Sequence, residues 1–100
     1  MIIKRQTKIF EKWFKKLSAN IQDKIAAYID RVLGENFSNC EPVGEGVSEI
    51  KINYQKGYRV YFTFIDRQAI LLLLCGGDKK SQEKDIKLAK EIKRYLEGLK

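Results

Sequence analysis

One hundred residues, 44% hydrophobic and 11% aromatic, can build one domain with a modest core but not two, so residues 1–100 are read as a single domain. The formal net charge is +7 and there is no histidine, which excludes His-based metal sites, Ser–His and Cys–His nucleophile pairs and the two-histidine acid–base scheme of many ribonucleases. The basic excess fits either a solvated lysine surface or a partner rich in phosphate.

The excess is uneven. Residues 1–50 carry 8 bases and 7 acids, and residues 51–100 carry 12 bases and 6 acids. Cys40 and Cys75 lie far apart with no CxxC spacing, so no disulfide is expected. No apolar run near the amino terminus resembles a signal peptide, and none approaches the ~18 residues of a membrane span. The expected location is therefore cytoplasmic, with no membrane partner, no metal and no cofactor.

In chain order, residues 2–6 favour a strand. Thr7 is a candidate N-cap for a helix whose apolar stripe is Ile9, Phe10, Trp13, Phe14 and Leu17, with Lys8, Lys12, Lys15 and Lys16 outside it. The aromatic residues of that stripe are read as core. Asn20 is read as the cap of a second helix with the stripe Ile21, Ile25, Tyr28, Ile29 and Val32, closed by Gly34. The two helices form an antiparallel hairpin. Residues 35–46, with Pro42, Gly44 and Gly46, read as a loop.

Val47 to Tyr54 alternate in polarity, and so do Tyr58 to Phe64: Tyr58, Val60, Phe62 and Phe64 share one face, and Arg59, Tyr61 and Thr63 the other. A three-residue turn, Gln55-Lys56-Gly57, joins them, with Gly57 supplying a positive φ. If Tyr54 faces Tyr58, then Ile52 pairs with Val60, Ile50 with Phe62, Asn53 with Arg59, Lys51 with Tyr61 and Glu49 with Thr63. Asp66-Arg67-Gln68 then turns the chain into a buried strand over 69–75. Gly76-Gly77 after this strand either lets a neighbour approach the backbone closely or turns the chain sharply, and a last helix starts near Ser81. Its apolar arc is Leu88, Ala89, Ile92, Tyr95, Leu96 and Leu99. The order βααβββα implies an α+β fold: an antiparallel sheet with the helical hairpin on one face and a C-terminal helix.

The expected chemistry lies on the other, open face. Arg59 can hold a phosphate bidentately, or it can be a strand arginine paired to Glu49 or Asp78. Tyr61 can be a platform for a base or a proton carrier, or a half-buried sheet aromatic. Lys79 and Lys80 follow the two glycines near a helix start, where backbone N–H groups also attract anions. Asp78 is either a cap or a proton acceptor, and Asp85 projects onto the apolar arc of the last helix. Lys51, Asn53, Lys56 and Lys80 are candidate RNA contacts. The segment is not a P-loop, because GxxxxGK[ST] is absent.

Three segments together resemble a known family: Pro42-Val43-Gly44-Glu45-Gly46-Val47-Ser48-Glu49-Ile50, Gly57-Tyr58-Arg59-Val60-Tyr61-Phe62 and Leu74-Cys75-Gly76-Gly77-Asp78-Lys79. They are similar to the addiction-module killer proteins, the HigB-like branch of the RelE/ParE toxin superfamily in type II toxin–antitoxin systems. The resemblance runs over nearly the whole chain. It implies a RelE-like fold, a cognate helix-turn-helix (HigA-like) antitoxin and ribosome-dependent cleavage of mRNA. It maps the family's arginine onto Arg59 and its next basic position onto Lys79 or Lys80. Members also use a late tyrosine or histidine as an acid–base group, whereas here Tyr95 falls on the core stripe.

The sequence thus suggests a metal-independent endoribonuclease. Arg59 and Lys79 would stabilise charge on the phosphate, with Tyr61 or Asp78 handling the proton. The alternatives are a non-catalytic ParE-like poison of DNA gyrase and a plain nucleic-acid-binding module. The nuclease reading requires the Arg59 guanidinium to face outward near residues 79 and 80.

Overall fold

A computed structural model describes residues 1–98; Leu99, expected on the last helix's apolar arc, lies outside the described residues. Strand β1 (Ile3–Gln6) leads into α1 (Lys8–Lys15) and α2 (Ala19–Leu33). Four strands follow: β2 (Cys40–Gly44), β3 (Val47–Ile52), β4 (Tyr58–Ile65) and β5 (Ile70–Asp78). A 3-10 turn (Lys79–Ser81) then runs into α3 (Gln82–Glu97). The strands form one sheet in the order β1-β5-β4-β3-β2. It is mixed, because β1 runs parallel to β5 while the other pairs are antiparallel.

Alternation along β4 divides the core in two. Tyr58, Val60 and Phe62 face the helical hairpin and pack with Phe10, Ile25, Ile29, Val32, Leu71 and Leu73. Burial of each such side chain contributes ~1.5–3 kcal/mol. On the opposite face Tyr61 packs with Val47, Leu74, Cys75, Ala89 and Ile92. That face is not open: α3 lies across it. Helices therefore cover both sides of the sheet.

Thr7 is the expected cap. Its Oγ1 accepts from the Phe10 amide at 3.0 Å and donates to the Leu74 carbonyl at 2.6 Å. That carbonyl belongs to a bulge, where the β4–β5 register shifts between Tyr61 and Phe62. One threonine thus starts α1 and anchors it to β5.

Other boundaries differ from expectation. Ser18, not Asn20, is the N-cap position of α2, so Asn20 lies inside the first turn. The segment read as a loop contains β2. Pro42 sits on this edge strand, where a missing N–H costs no ladder bond, and the pairing is irregular between Pro42 and Gly44.

The β3–β4 connection spans residues 53–57 rather than 55–57. Lys51 therefore faces Arg59, Glu49 faces Tyr61 and Ile50 faces Val60. A shift by an even number of residues keeps every side chain on its expected face. Gly57 has the expected positive φ, 84°.

Of the two expectations for Gly76 and Gly77, the close approach holds and the sharp turn does not. They lie within β5 and admit close neighbours, one on each face. A Cβ on Gly76 would stand 2.3 Å from Trp13 Cζ3, and one on Gly77 would stand 1.8 Å from Asp85 Oδ2. Gly76 thus lets the indole seat on the hairpin side, and Gly77 lets the first turn of α3 close on the other.

Candidate functional site

The cationic end of the molecule is built where β4 begins, β5 ends and α3 starts. The Lys79 amide donates to the Gly57 carbonyl at 3.1 Å, which ties the β3–β4 loop to the turn after β5. A single point beside Gly57, where its Cβ would be, lies 3.6 Å from both Arg59 Nη1 and Lys79 Cβ. Lys79 and Lys80 are exposed, and neither has an ion-pair partner among the described residues. Lys56 is exposed and pairs with Asp78 at 3.3 Å; Lys51 pairs with Glu41 at 3.0 Å. Asn53 is exposed in the loop. Surface pairs of this kind are worth little and exchange readily for a polyanion.

Arg59 is not spread on an open sheet face. It is 7% exposed. Its Nη1 donates to the Tyr58 carbonyl at 3.1 Å, and its Nε stands 3.8 Å from Glu49 Oε1. Of the two sequence alternatives, the pairing with Glu49 is present, while Nη1 still reaches the rim at Gly57. The guanidinium is therefore largely buried rather than turned outward as the nuclease reading requires, with Nη1 and Lys79 Cβ meeting on the Gly57 side.

Tyr61, expected on the open face, has no exposed surface. Its hydroxyl donates to Glu49 Oε1 at 3.1 Å. Burial first, and then the Glu49 charge, push its pKa far above the usual phenol range, so it remains protonated. It is neither a platform for a base nor a proton carrier open to solvent. The misreading arose because a polar face on a strand looks solvated until a helix is known to cover it.

Asp78 caps the turn after β5. Its Oδ1 accepts from the amides of Lys80 at 2.9 Å and Ser81 at 3.2 Å. Burial alone would raise its pKa, but the Lys56 ammonium and those two amides together hold it below the usual aspartate value. Asp85 is buried on the covered face and accepts from Ser81 Oγ. Tyr95 is not in the core. It is 68% exposed and lies roughly 15 Å along the helix axis from Asp85.

Residues 12–96 match the family described as phage-derived Gp49-like protein (DUF891). The chain belongs to this Gp49-like family. An uncharacterized protein of Haemophilus influenzae is 39% identical over 93 residues, which cover 92% of this chain and 93% of that protein. A doubly substituted E. coli RelE toxin in the free state matches the fold with a TM-score of 0.72 at 18% identity, over 91% of this chain and 97% of that one. A chain of the intact E. coli RelBE toxin–antitoxin complex matches at 0.67 and 18%, over 78% and 96%. A chain of the Mycobacterium tuberculosis RelBE2 complex matches at 0.56 and 16%, over 78% and 91%. The Gp49-like chain therefore has the RelE-like fold.

Two features of this Gp49-like chain lie beyond what its sequence indicated. One is Glu49, whose Oε1 gathers Tyr61 and the Gln82 amide, the latter at 2.6 Å. Strand alternation placed Glu49 on the Arg59 face, but only the position of α3 reveals Gln82 above it. The other is an open, mainly apolar groove of about 1040 Å³, lined by Ile9, Phe64, Leu72, Leu88, Tyr95 and Leu96 among others. None of Arg59, Lys79 and Lys80 lines it, so this groove and the cationic end are separate.

No helix among the described residues is long and apolar enough to cross a membrane. No group of three or more His, Cys, Asp or Glu among them is placed to hold a metal ion.

Proposed function

We propose that this chain is the toxin of a type II toxin–antitoxin pair of HigB-like type, an endoribonuclease that cuts mRNA on the ribosome and so inhibits translation in the cytoplasm. The observation that carries this reading is the convergence of Arg59 Nη1 and Lys79 beside Gly57, with Lys80 exposed next to them. Two cations, one from β4 and one from the turn after β5, can grip one phosphate and stabilise the charge that builds on its oxygens.

In the proposed reaction the RNA 2′-hydroxyl attacks the adjacent phosphorus. The bond to the 5′-oxygen breaks, leaving a cyclic phosphate and a 5′-hydroxyl. The 2′ proton leaves to an acceptor, and the departing oxygen takes up a proton. The chain supplies little for these transfers, since Tyr61 is buried and Asp78 is held as a capping carboxylate. Groups of the ribosome complete them. Dependence on the ribosome follows, because a positioned substrate lowers the barrier without strong acid–base groups. Lys51, Asn53, Lys56 and Lys80 contact the RNA backbone.

The partner is a helix-turn-helix, HigA-like antitoxin that covers the cationic end with acidic or apolar segments. Solved complexes of RelE-fold chains with antitoxins support an antitoxin of some kind. The test is growth after induction, with and without the neighbouring antitoxin gene. Wild type arrests growth and the antitoxin relieves it. Arg59→Lys, which keeps the charge but loses the fork, and Lys79→Ala both arrest growth weakly. Full arrest by both variants would overturn the assignment.

One observation favours a second reading. Neither Tyr61 nor Tyr95 can present its hydroxyl to a phosphate held at Arg59, which suits a toxin that binds without cutting, such as a ParE-like poison of DNA gyrase. Intact transcripts together with DNA damage after induction would select it.

A further inference from the structure

We infer that Glu49 is the positioning residue of Arg59, holding its guanidinium at the rim while being held itself by Tyr61 and by Gln82 of α3; this rests on the nuclease reading above. Two donors bond one buried oxygen, and a third stands near it. Tyr61 Oη lies 3.1 Å from Glu49 Oε1, Gln82 Nε2 lies 2.6 Å away, and Arg59 Nε lies 3.8 Å away. Glu49 is 1% exposed. A carboxylate buried this deeply is costly unless paired, and apolar residues of similar volume would stabilise the fold at least as well. Stability alone does not account for it.

The geometry assigns it a directional task. Arg59 and Glu49 sit diagonally across β4 and β3, since Glu49 faces Tyr61 and Lys51 faces Arg59. The guanidinium therefore runs between the buried carboxylate and the Gly57 rim. At the inner end, Nε is buried and has no hydrogen-bond partner among the described residues. At 3.8 Å the Glu49 oxygen attracts it by charge but does not bond it, because Tyr61 and Gln82 already occupy that oxygen. A shift of about 1 Å would bring Nε to the ~2.8 Å of a charge-assisted bond. Arg59 is thus aimed but not locked, and a phosphate at Nη1 would complete its coordination. Gln82 sits in the first turn of α3, so the placement of that helix also sets the aim of Arg59.

The test compares wild type with Glu49→Gln, which keeps the shape and loses the charge. Single-turnover cleavage on programmed ribosomes is measured across ribosome concentration, and the Arg59 Nε–Hε resonance is recorded in the free labelled protein. The expected result is a maximal rate about 10–100-fold lower, a half-saturating concentration within about two-fold of wild type, and a shifted Arg59 resonance. Tyr61→Phe and Gln82→Ala, which leave the charge in place, lower the same maximal rate by less and serve if Glu49→Gln folds poorly. A wild-type maximal rate in all three variants overturns the positioning role and leaves the nuclease reading intact. So does a loss carried wholly by the half-saturating concentration. If wild type cuts no RNA on ribosomes, the nuclease reading falls, and an unmoved Arg59 resonance in Glu49→Gln then also refutes the physical link.

Discussion

Gly76 lies directly beneath the indole of Trp13, so close that a Cβ on Gly76 would stand 2.3 Å from Cζ3, 2.4 Å from Cε3 and 2.6 Å from Cη2. The ring belongs to the aromatic group of α1, where Trp13 is tilted against Phe10 with centroids 5.7 Å apart and Phe10 stacks on Phe14 with centroids 5.6 Å apart. It has little room to retreat. Gly76→Ala is expected to cost about 1–3 kcal/mol by overpacking, read as a lower midpoint in urea unfolding. Adding Trp13→Leu, which vacates the space, should make the alanine almost neutral. A double variant that shows the full extra loss would contradict the contact as the cause.

Asp78 gives a stability effect with a defined sign. Its folded pKa lies below the ordinary 3.8, so its contribution is complete above that value and is lost as pH falls through the folded value. Asp78→Ala should cost about 1 kcal/mol near neutral pH, as expected for a lost cap. The gap between wild type and variant should narrow as pH falls to the ordinary aspartate value and close below it. Urea melts across that range check it, and a gap that widens on acidification would be the wrong sign.

The two thiols should differ in reactivity. Burial first, and the Asp85 charge second, push Cys75 up to about 12, whereas Cys40 is only partly buried. A thiol reagent near pH 8 should therefore modify Cys40 in the folded protein and reach Cys75 only on unfolding. Mass analysis of the labelled peptides distinguishes the two sites.

Lys79 and Lys80 are the exposed cations whose loss should affect RNA binding and not the fold. Lys79→Ala and Lys80→Ala should leave the unfolding midpoint within about 0.5 kcal/mol of wild type. Each should weaken single-stranded RNA binding and flatten the log–log salt slope by about 0.7. An unchanged slope would mean that the lysine touches no phosphate.

Much of this architecture was legible in period and punctuation. The α2 stripe, the Thr7 cap, the two-faced alternation of β4 and the positive φ at Gly57 follow from local rules and are present, while the α1 stripe holds except at Ile9, which is exposed, and Leu17, which lies past the helix end. What escaped depends on distant partners. Strand β2 exists because β3 offers it an edge, although Pro42 and Gly44 give it the composition of a loop. Gly76 and Gly77 suit a turn or a close approach equally until Trp13 and Asp85 are seen pressing on them from opposite faces. The same blindness affected the site. Arg59, Tyr61 and Glu49 are polar and alternate correctly, so they read as a solvated face. Only the packing of α3 shows that they form a buried network with just the end of Arg59 at the rim.

The central claim is that Arg59 and Lys79 together grip a message phosphate and promote its cleavage. The most direct measurement is 5′-end mapping of cellular RNA after induction of wild type, Arg59→Lys and Lys79→Ala, each first shown to fold. The account predicts new ends within translated codons for wild type and their strong reduction in both variants. Transcripts left intact by wild type, or cut equally by all three proteins, would contradict it.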